Sequence, residues 1–175
     1  KVKPREMPMY RIARTFQSVR LFEQMTVLDN VLVVLTERNI LSAIFEKHSK
    51  YHEERAFGIL KRIGLWEKRN ELAENLSYGQ RKLLEIGRAL AMEPEVYLFD
   101  EPFSGLFPEM VKKVKSIMKE LREEGKTIVL ISHNMEIIRE LSDHVIVIES
   151  GTFLAEGKPD DVLSRKDVLE AYLGE

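Results

Sequence analysis

Three short apolar runs in the second half of the chain limit the folds that it can adopt. They are VYLF at 96–99, TIVLIS at 127–132 and HVIVIE at 144–149. Continuous, β-branched runs of this length are typical of strands buried on both faces of a parallel sheet. Helical patterns separate them, so the order strand, helix, strand, helix, strand predicts an α/β sheet with right-handed crossovers.

The first half of the chain is mostly helical in pattern. Apolar residues recur there at helical spacing, and polar caps or glycines stand where each helix begins or ends. We predict three helices from these signals: Thr26 with Asp29 at the first start, His52 to Ile63 followed by Gly64, and Ser77 followed by Pro94. Farther along we predict a helix from Pro108 to Gly125, a returning strand at 151–157 and a closing helix over 160–175.

Composition excludes several classes of protein. The chain has 175 residues, a net charge of −2 and no cysteine, so neither a disulfide framework nor a zinc–thiolate site is available. No apolar run is long enough to span a bilayer, and KVKPREMPMY lacks the apolar core of a secretory signal. Residues 1–20 carry six lysines and arginines against one glutamate. We interpret them as a solvated basic surface, because no motif that reads nucleic acid accompanies them.

Polar side chains follow two of the apolar runs. Asp100 and Glu101 come directly after the first run, and His133 follows the second. Because functional residues of open α/β sheets lie at the carboxyl ends of the strands, we expect these groups at one edge. Asp100 would hold Mg²⁺ through water, Glu101 would orient or deprotonate an attacking water, and His133 would hydrogen-bond a γ-phosphate. Pro102 favours an extended backbone at Glu101.

The stretch LSYGQ at 76–80 opens the third helix. Ser77 caps that helix and Gly79 lets a ligand approach the backbone, so the free N–H groups and the positive end of the helix dipole form an anion site. Each of these features has a plainer interpretation when taken alone. The acids suit a solvated turn, the histidine a structural role, and LSYGQ a capped helix.

The 175 residues contain no phosphate-binding loop motif. Such a loop reads Gly-x-x-x-x-Gly-Lys-Ser/Thr and lies between a strand and the helix that follows it. Gly125-Lys126-Thr127 has the last three residues, but Glu120 stands in place of the first glycine and the segment runs from a helix into a strand. We therefore interpret it as a helix stop and a strand start.

Five segments, taken in order, resemble the motifs of one family. Gln17 in RTFQSVRLF, LSYGQ, VYLFDEP, SGL at 104–106 and SH at 132–133 are similar to the Q-loop, signature, Walker B, D-loop and switch histidine of the ATP-binding subunits of ABC transporters. The resemblance covers essentially the whole chain. RIARTFQSVRLFEQMTVLDNVLV and the terminal AYLGE look most like the ATPases of branched-chain amino-acid importers. Lipopolysaccharide-export and urea-transport ATPases end similarly, so those two substrates stay open.

The resemblance implies a P-loop NTPase-like core of mainly parallel sheet with an inserted helical subdomain. Residues 1–19 would belong to the core, 20–94 to the helical subdomain and 95–175 to the core again. It also implies an ATP hydrolase that uses ATP and Mg²⁺ and lies peripherally on the cytoplasmic face of the inner or plasma membrane.

Two such subunits would pair head to tail and enclose two ATP molecules. Ser77, Gly79 and Gln80 would reach the γ-phosphate held by the partner, and Gln17 would contact Mg²⁺ or water. The Q-loop and the helical region would contact transmembrane permease subunits, and no nucleic-acid partner is implied. ATP binding would close the pair and hydrolysis would reopen it.

Three departures from the family pattern matter. Tyr78 replaces a glycine of the signature, Phe107 stands where an acid or Asn ends the D-loop, and the Walker A part that precedes the Q-loop is missing. We expect the chain as given to hold no ATP in its own site. We also expect VYLF to lack a paired neighbour, so that the chain made alone is poorly soluble or needs its missing part. Two other interpretations stay open: a non-catalytic subunit that completes a partner's ATP site, and an ATPase of translation or chromosome maintenance.

Overall fold

The computed structural model describes residues 4–35 and 49–173. In chain order it contains a 3-10 helix at Pro4–Tyr10, β1 (Ile12–Arg14), α1 (Val27–Leu35), α2 (Ser49–Arg62), 3-10 turns at Trp66–Lys68 and Ala73–Asn75, α3 (Tyr78–Ala91), β2 (Val96–Asp100), α4 (Pro108–Glu123), β3 (Thr127–Ile131), α5 (Met135–Leu141), β4 (Val145–Glu149), β5 (Thr152–Gly157), α6 (Pro159–Leu163) and α7 (Lys166–Leu173). The chain divides into two compact units, Lys1–Ile131 and Ser132–Glu175. In the ranges described, no helix is both long and apolar enough to cross a bilayer. The division into 1–19, 20–94 and 95–175 stays a prediction.

The first unit is built on a parallel sheet with the strand order β1-β2-β3. β2 lies in the middle, with Leu98 opposite Arg14 on one side and Val129 on the other, and its Tyr97 and Phe99 are buried. The expectation that VYLF would lack a paired neighbour is therefore wrong. The missing neighbour is supplied by β1, a three-residue strand too short to show any periodicity in the sequence.

β3 differs from its sequence expectation in burial. Its pattern alternates, and Val129 and Ile131 are 49% and 56% exposed, whereas the run predicted a strand buried on both faces. Helix α4 packs against β3, while the face that carries Val129 and Ile131 is open to solvent in the part of the chain that the structure describes.

The starts of α1 and α3 and the end of α2 fall at the predicted signals, whereas α2 begins at Ser49, before the predicted His52. The Thr26 hydroxyl accepts the Asp29 N–H at 3.0 Å and donates to the Asp29 carboxylate at 2.6 Å, which fixes the start of α1. Gly64 follows α2 with a φ of 75°, a left-handed conformation that glycine adopts at little cost. Helices α1, α2 and α3 pack on one another, and α3 is buried along almost its whole length.

The second unit consists of a hairpin and the three short helices α5, α6 and α7. β4 pairs antiparallel with β5, so the returning strand is confirmed, but β4 does not continue the parallel order that the sequence predicted. The closing segment forms α6 and α7 with a break at Ser164 and Arg165 instead of one helix. The break lets both helices contribute to one small core, whose buried members are Val145, Ala155, Val162, Leu163 and Val168.

Candidate active site

The carboxyl ends of the parallel strands bring the predicted acids to one edge of the sheet. Asp100 is the last residue of β2 and lies opposite Ile131, the last residue of β3. Gln17 follows the end of β1 at the same edge and is exposed. His133 follows β3 in the chain, is exposed and belongs to the second unit. Its approach to the acids therefore stays a prediction.

Asp100 offers the oxygen ligand that Mg²⁺ prefers. Its side chain is 25% exposed, and its Oδ2 lies 3.2 Å from Nη2 of Arg14. The described residues contain no group of three or more His, Cys, Asp or Glu that could hold a metal. A single hard carboxylate fits Mg²⁺ because this ion keeps several waters and takes phosphate oxygens as further ligands. The role of Asp100 as a Mg²⁺ ligand stays a prediction, with waters and phosphate oxygens as the expected further ligands.

Glu101 has a strained backbone. Its φ is 47°, its N–H donates to the carbonyl of Ile131 at 3.0 Å, and its carbonyl accepts the N–H of Ser104 at 3.3 Å. The expectation of an extended backbone at Glu101 is therefore wrong, because the chain enters a tight turn directly after Asp100. A non-glycine residue in this region costs about 1–3 kcal/mol, and such strain clusters at active sites. The extended path of β2 therefore ends at Asp100.

The signature residues lie at the start of α3. Ser77 caps the helix: its hydroxyl accepts the Gln80 N–H at 3.4 Å, while the Gln80 side-chain oxygen accepts the Ser77 N–H at 3.0 Å. Gly79 is buried, and a Cβ at that position would lie 2.0 Å from Sδ of Met110. The capping box confirms Ser77 as the helix start. Gly79 is fixed by packing, which leaves the first-turn N–H groups as the feature that an anion would use.

Tyr78 points toward the turn that follows β2. A Cβ built on Gly105 would lie 3.0 Å from Cε1 of the Tyr78 ring, and Gly105 has a φ of 71°. Phe107 is 75% exposed and precedes α4 without making a side-chain cap. The two residues that depart from the family pattern therefore differ in setting: one packs against the turn and the other faces solvent.

Lys82, which no sequence motif singled out, holds the loop that carries Gln17. The Lys82 side chain is fully buried, and its Nζ donates to the carbonyls of Phe16 at 2.9 Å and Gln17 at 3.0 Å. Its third neighbour is Glu85, whose Oε2 lies 3.8 Å away. Burial lowers the pKa of Lys82, and the carboxylates of Glu85, Asp100 and Glu101 oppose that shift.

Glu85 and Arg88 lie about one and two turns beyond Lys82 on α3 and also contact this loop. Burial raises the pKa of the Glu85 carboxyl, against the Lys82 charge and the N–H groups of Phe16 and Arg20. Arg88 donates from Nη1 to the carbonyl of Arg20 at 2.6 Å. A Lys–Glu pair at this spacing normally indicates a surface ion pair. No local pattern indicated that Lys82 is buried, because its burial comes from the loop that packs over it.

Asn30 holds the far end of the same loop and was also missed. It is fully buried on α1, its Oδ1 accepts the Phe22 N–H at 3.0 Å, and its Nδ2 donates to the Phe22 carbonyl at 2.9 Å. A buried amide that satisfies both backbone groups of one residue fixes the chain at that point. The loop between β1 and α1 is therefore anchored by α3 at its start and by α1 at its end.

Comparisons with known proteins identify the family of the chain. A family model described as ABC transporter matches residues 2–104, and one described as branched-chain amino acid ATP-binding cassette transporter matches residues 154–175. The chain is 39% identical to the high-affinity branched-chain amino acid transport ATP-binding protein LivG of Salmonella typhimurium, over 94% of this chain and 68% of that protein. BraF of Pseudomonas aeruginosa, named for the same transport, is 38% identical over the same shares.

Solved structures show the same fold. A crystal structure of an ATP-binding cassette of an ABC transporter in its ADP conformation superposes with a TM-score of 0.81 and 35% identity, over 99% of this chain and 72% of that one. A dimeric cassette in a post-hydrolysis state bound to ADP and Pi gives 0.76 and 28%, over 90% and 68%. The predicted family and the P-loop NTPase-like fold class are thereby confirmed. The chain belongs to the ABC transporter family, among its ATP-binding subunits.

Proposed function

We propose that this chain is the ATP-binding and ATP-hydrolysing subunit that powers an importer of branched-chain amino acids. The observation that carries the proposal is its 39% identity to LivG over 94% of the chain, and the family match at residues 154–175 supports it. The subunit lies on the cytoplasmic face of the membrane and pairs there with a second ATPase subunit. Permease subunits bind the Gln17 loop and the helical region 20–94.

Each candidate site residue has one role in the proposed reaction. Mg²⁺ supplies charge compensation for the phosphate oxygens when it is bound with ATP. Asp100 and Gln17 are the oxygen ligands that this chain offers to the ion or to its waters. Glu101 accepts the proton of the attacking water, and His133 hydrogen-bonds the γ-phosphate. The place of Glu101 directly after Asp100, at the carboxyl end of β2, supports this assignment.

The signature residues serve the partner's nucleotide. Ser77, Gly79 and Gln80 stand at the positive end of α3, where first-turn N–H groups can bind an anion. In the pair of subunits this helix end faces the γ-phosphate held by the other chain. Because each ATP site then takes residues from both chains, hydrolysis depends on dimer closure.

Glu101→Gln tests the assigned proton acceptor. In the full-length gene product we expect kcat for ATP hydrolysis to fall by about 10²-fold or more, since proton transfer contributes that much, while ATP-driven dimerisation persists. Steady-state phosphate release and size-exclusion chromatography with ATP measure the two effects. Glu67→Gln, on a surface turn, is the matched control. Hydrolysis at the wild-type rate in Glu101→Gln would remove the role given to Glu101.

The transported solute is tested in proteoliposomes that contain the full-length gene product with its permease and binding protein. We expect ATP-dependent uptake of radiolabelled leucine, isoleucine and valine. Urea uptake, or extraction of lipopolysaccharide in place of amino-acid uptake, would replace the substrate while leaving the ATPase assignment intact. Nucleotide binding only in the presence of a different ATPase chain would favour the non-catalytic subunit, which the lack of a phosphate-loop motif in the 175 residues suggests.

A further inference from the structure

Three charged side chains of α3 lie in one row along the loop that carries Gln17. Lys82 binds the carbonyls of Phe16 and Gln17, at 2.9 and 3.0 Å. A lysine ammonium has three donors, and its remaining direction faces Glu85. All of its bonding capacity is therefore directed at the loop and at the residue one turn along the helix.

The other two members of the row hold the loop from the same helix. Oε1 of Glu85 accepts the Phe16 N–H at 3.4 Å, and Nη1 of Arg88 donates to the carbonyl of Arg20 at 2.6 Å. The Arg88 guanidinium also lies 4.9 Å from the ring of Phe22. We call Lys82, Glu85 and Arg88 the loop clamp. It binds backbone groups on both sides of Gln17, so it fixes the path of the main chain there.

Holding a loop with a buried charge carries a large desolvation penalty. Removing a lysine and a glutamate from water costs several kcal/mol per ion, and hydrophobic residues of similar volume often give equal or greater stability. We therefore expect α3 to stay folded when Lys82 and Glu85 are replaced together by apolar residues. What an apolar residue cannot supply is a bond to the carbonyl of Gln17, together with a positive charge close enough to Asp100 and Glu101 to interact with both.

We propose that Lys82 is a positioning residue. It couples the position of the Gln17 main chain to helix α3. The same helix begins with Ser77, Gly79 and Gln80, so any movement of that end is carried by one rigid element to the main chain at Gln17. The inference rests on the proposed function for its catalytic consequence. The clamp itself rests only on the contacts between α3 and the loop.

The test compares four variants of the chain. Lys82→Met removes the donors, and Lys82→Arg keeps a buried donor and its charge. Lys82→Met with Glu85→Leu removes both ions, so that neither is left uncompensated. Lys68→Met is the matched control, because Lys68 makes an i, i+3 pair with Glu71 on the surface.

The local readout is tryptic cleavage after Arg20, measured by mass spectrometry and referred to cleavage after Arg165 in the second unit. In the double variant we expect a wild-type melting temperature and about tenfold faster cleavage after Arg20, since two hydrogen bonds to a charged group are lost. Lys82→Arg and Lys68→Met keep the wild-type rate. Unchanged cleavage in the double variant overturns the inference. A double variant that no longer folds overturns it as well, because the row would then be structural.

The catalytic readout is ATP hydrolysis by the full-length gene product with the same substitutions. We expect Lys82→Met and the double variant to lower kcat by about 10²-fold with KM for ATP within about threefold, the pattern of a misplaced group, and Lys82→Arg to restore most of kcat. A loosened loop with wild-type kcat overturns the positioning role. If the wild type itself hydrolyses no ATP, the proposed function fails, and the cleavage rates alone decide for or against the clamp.

Discussion

Tyr78 shows how a bulky side chain is accommodated in a motif made for a glycine. The ring is 47% exposed and lies over Gly105, in the turn that follows Glu101. Gly105 has a φ of 71°, so the position already disfavours any residue with a Cβ. The contact joins the start of α3 to the turn after β2, and the aromatic ring needs the absence of a side chain on Gly105.

Gly105→Ala tests why glycine is needed at this position. The two possible causes are its left-handed backbone and the space that the Tyr78 ring occupies. The left-handed backbone alone costs about 1–2 kcal/mol for alanine, and displacing the Tyr78 ring adds to this. Gly64→Ala is the matched control, because Gly64 has a φ of 75° and nothing within 4 Å of a built Cβ. Urea denaturation should show the larger loss for Gly105→Ala. In a Tyr78→Ala background the two glycine variants should lose equally, and a persistent difference would show that the ring is not the cause.

The elements with strong local signals were predictable, and those set by tertiary contacts were not. The start of α1 at Thr26 and of α3 at Ser77 follow from capping chemistry, which is local. β1 has three residues and becomes a strand only because β2 lies beside it. Lys82 gave a surface signal, since its burial depends on the loop that covers it. The turn at Glu101 overrode the bias of Pro102, because the backbone bond to β3 holds it.

One carboxylate lies at the start of all three parallel strands. Glu95 precedes β2 directly, and its Oε1 lies 2.6 Å from Nη2 of Arg11, next to β1, and 3.2 Å from Nζ of Lys126, next to β3. The hydrogen bond from Lys126, and then the charge of Arg11, lower the pKa of Glu95. The two ion pairs therefore link the three strands at the end opposite to Asp100.

Glu95→Gln should change how stability depends on pH. The folded pKa of Glu95 is depressed, so its contribution is fully present above the unfolded pKa of about 4.3 and is lost as the pH falls through the folded value. We expect a slightly lower melting temperature than wild type at pH 7, with the difference closing below about pH 4 and shrinking in high salt. Glu67→Gln makes the same charge change on a surface turn. If the melting temperatures of both variants depend on pH in the same way, the ion pairs of Glu95 do not stabilise the fold.

Each of the two units exposes apolar strand surface. In the first unit Val129 and Ile131 are exposed on β3, which is an edge strand among the described residues. In the second unit the exposed apolar side chains lie on the hairpin, at Ile146, Ile148 and Phe153. Exposed, flat, apolar edge strands are templates for association with another chain. Poor solubility of the isolated chain stays a prediction, and the apolar surface that would cause it lies on β3 and the hairpin and not on VYLF.

This surface predicts that the isolated chain self-associates. Static light scattering between about 10 µM and about 1 mM should rise faster than linearly, the range in which such surfaces associate. Replacing Val129 and Ile131 together by threonine should reduce the rise without lowering the melting temperature, because threonine keeps the β-branched shape on an exposed face. Val114→Thr, at a fully buried site of α4, should instead lower stability by about 1–3 kcal/mol and leave association undiminished. A wild-type chain that stays monomeric over this concentration range would contradict the prediction. Its exposed strand faces would then be too small or too twisted to pair with another chain.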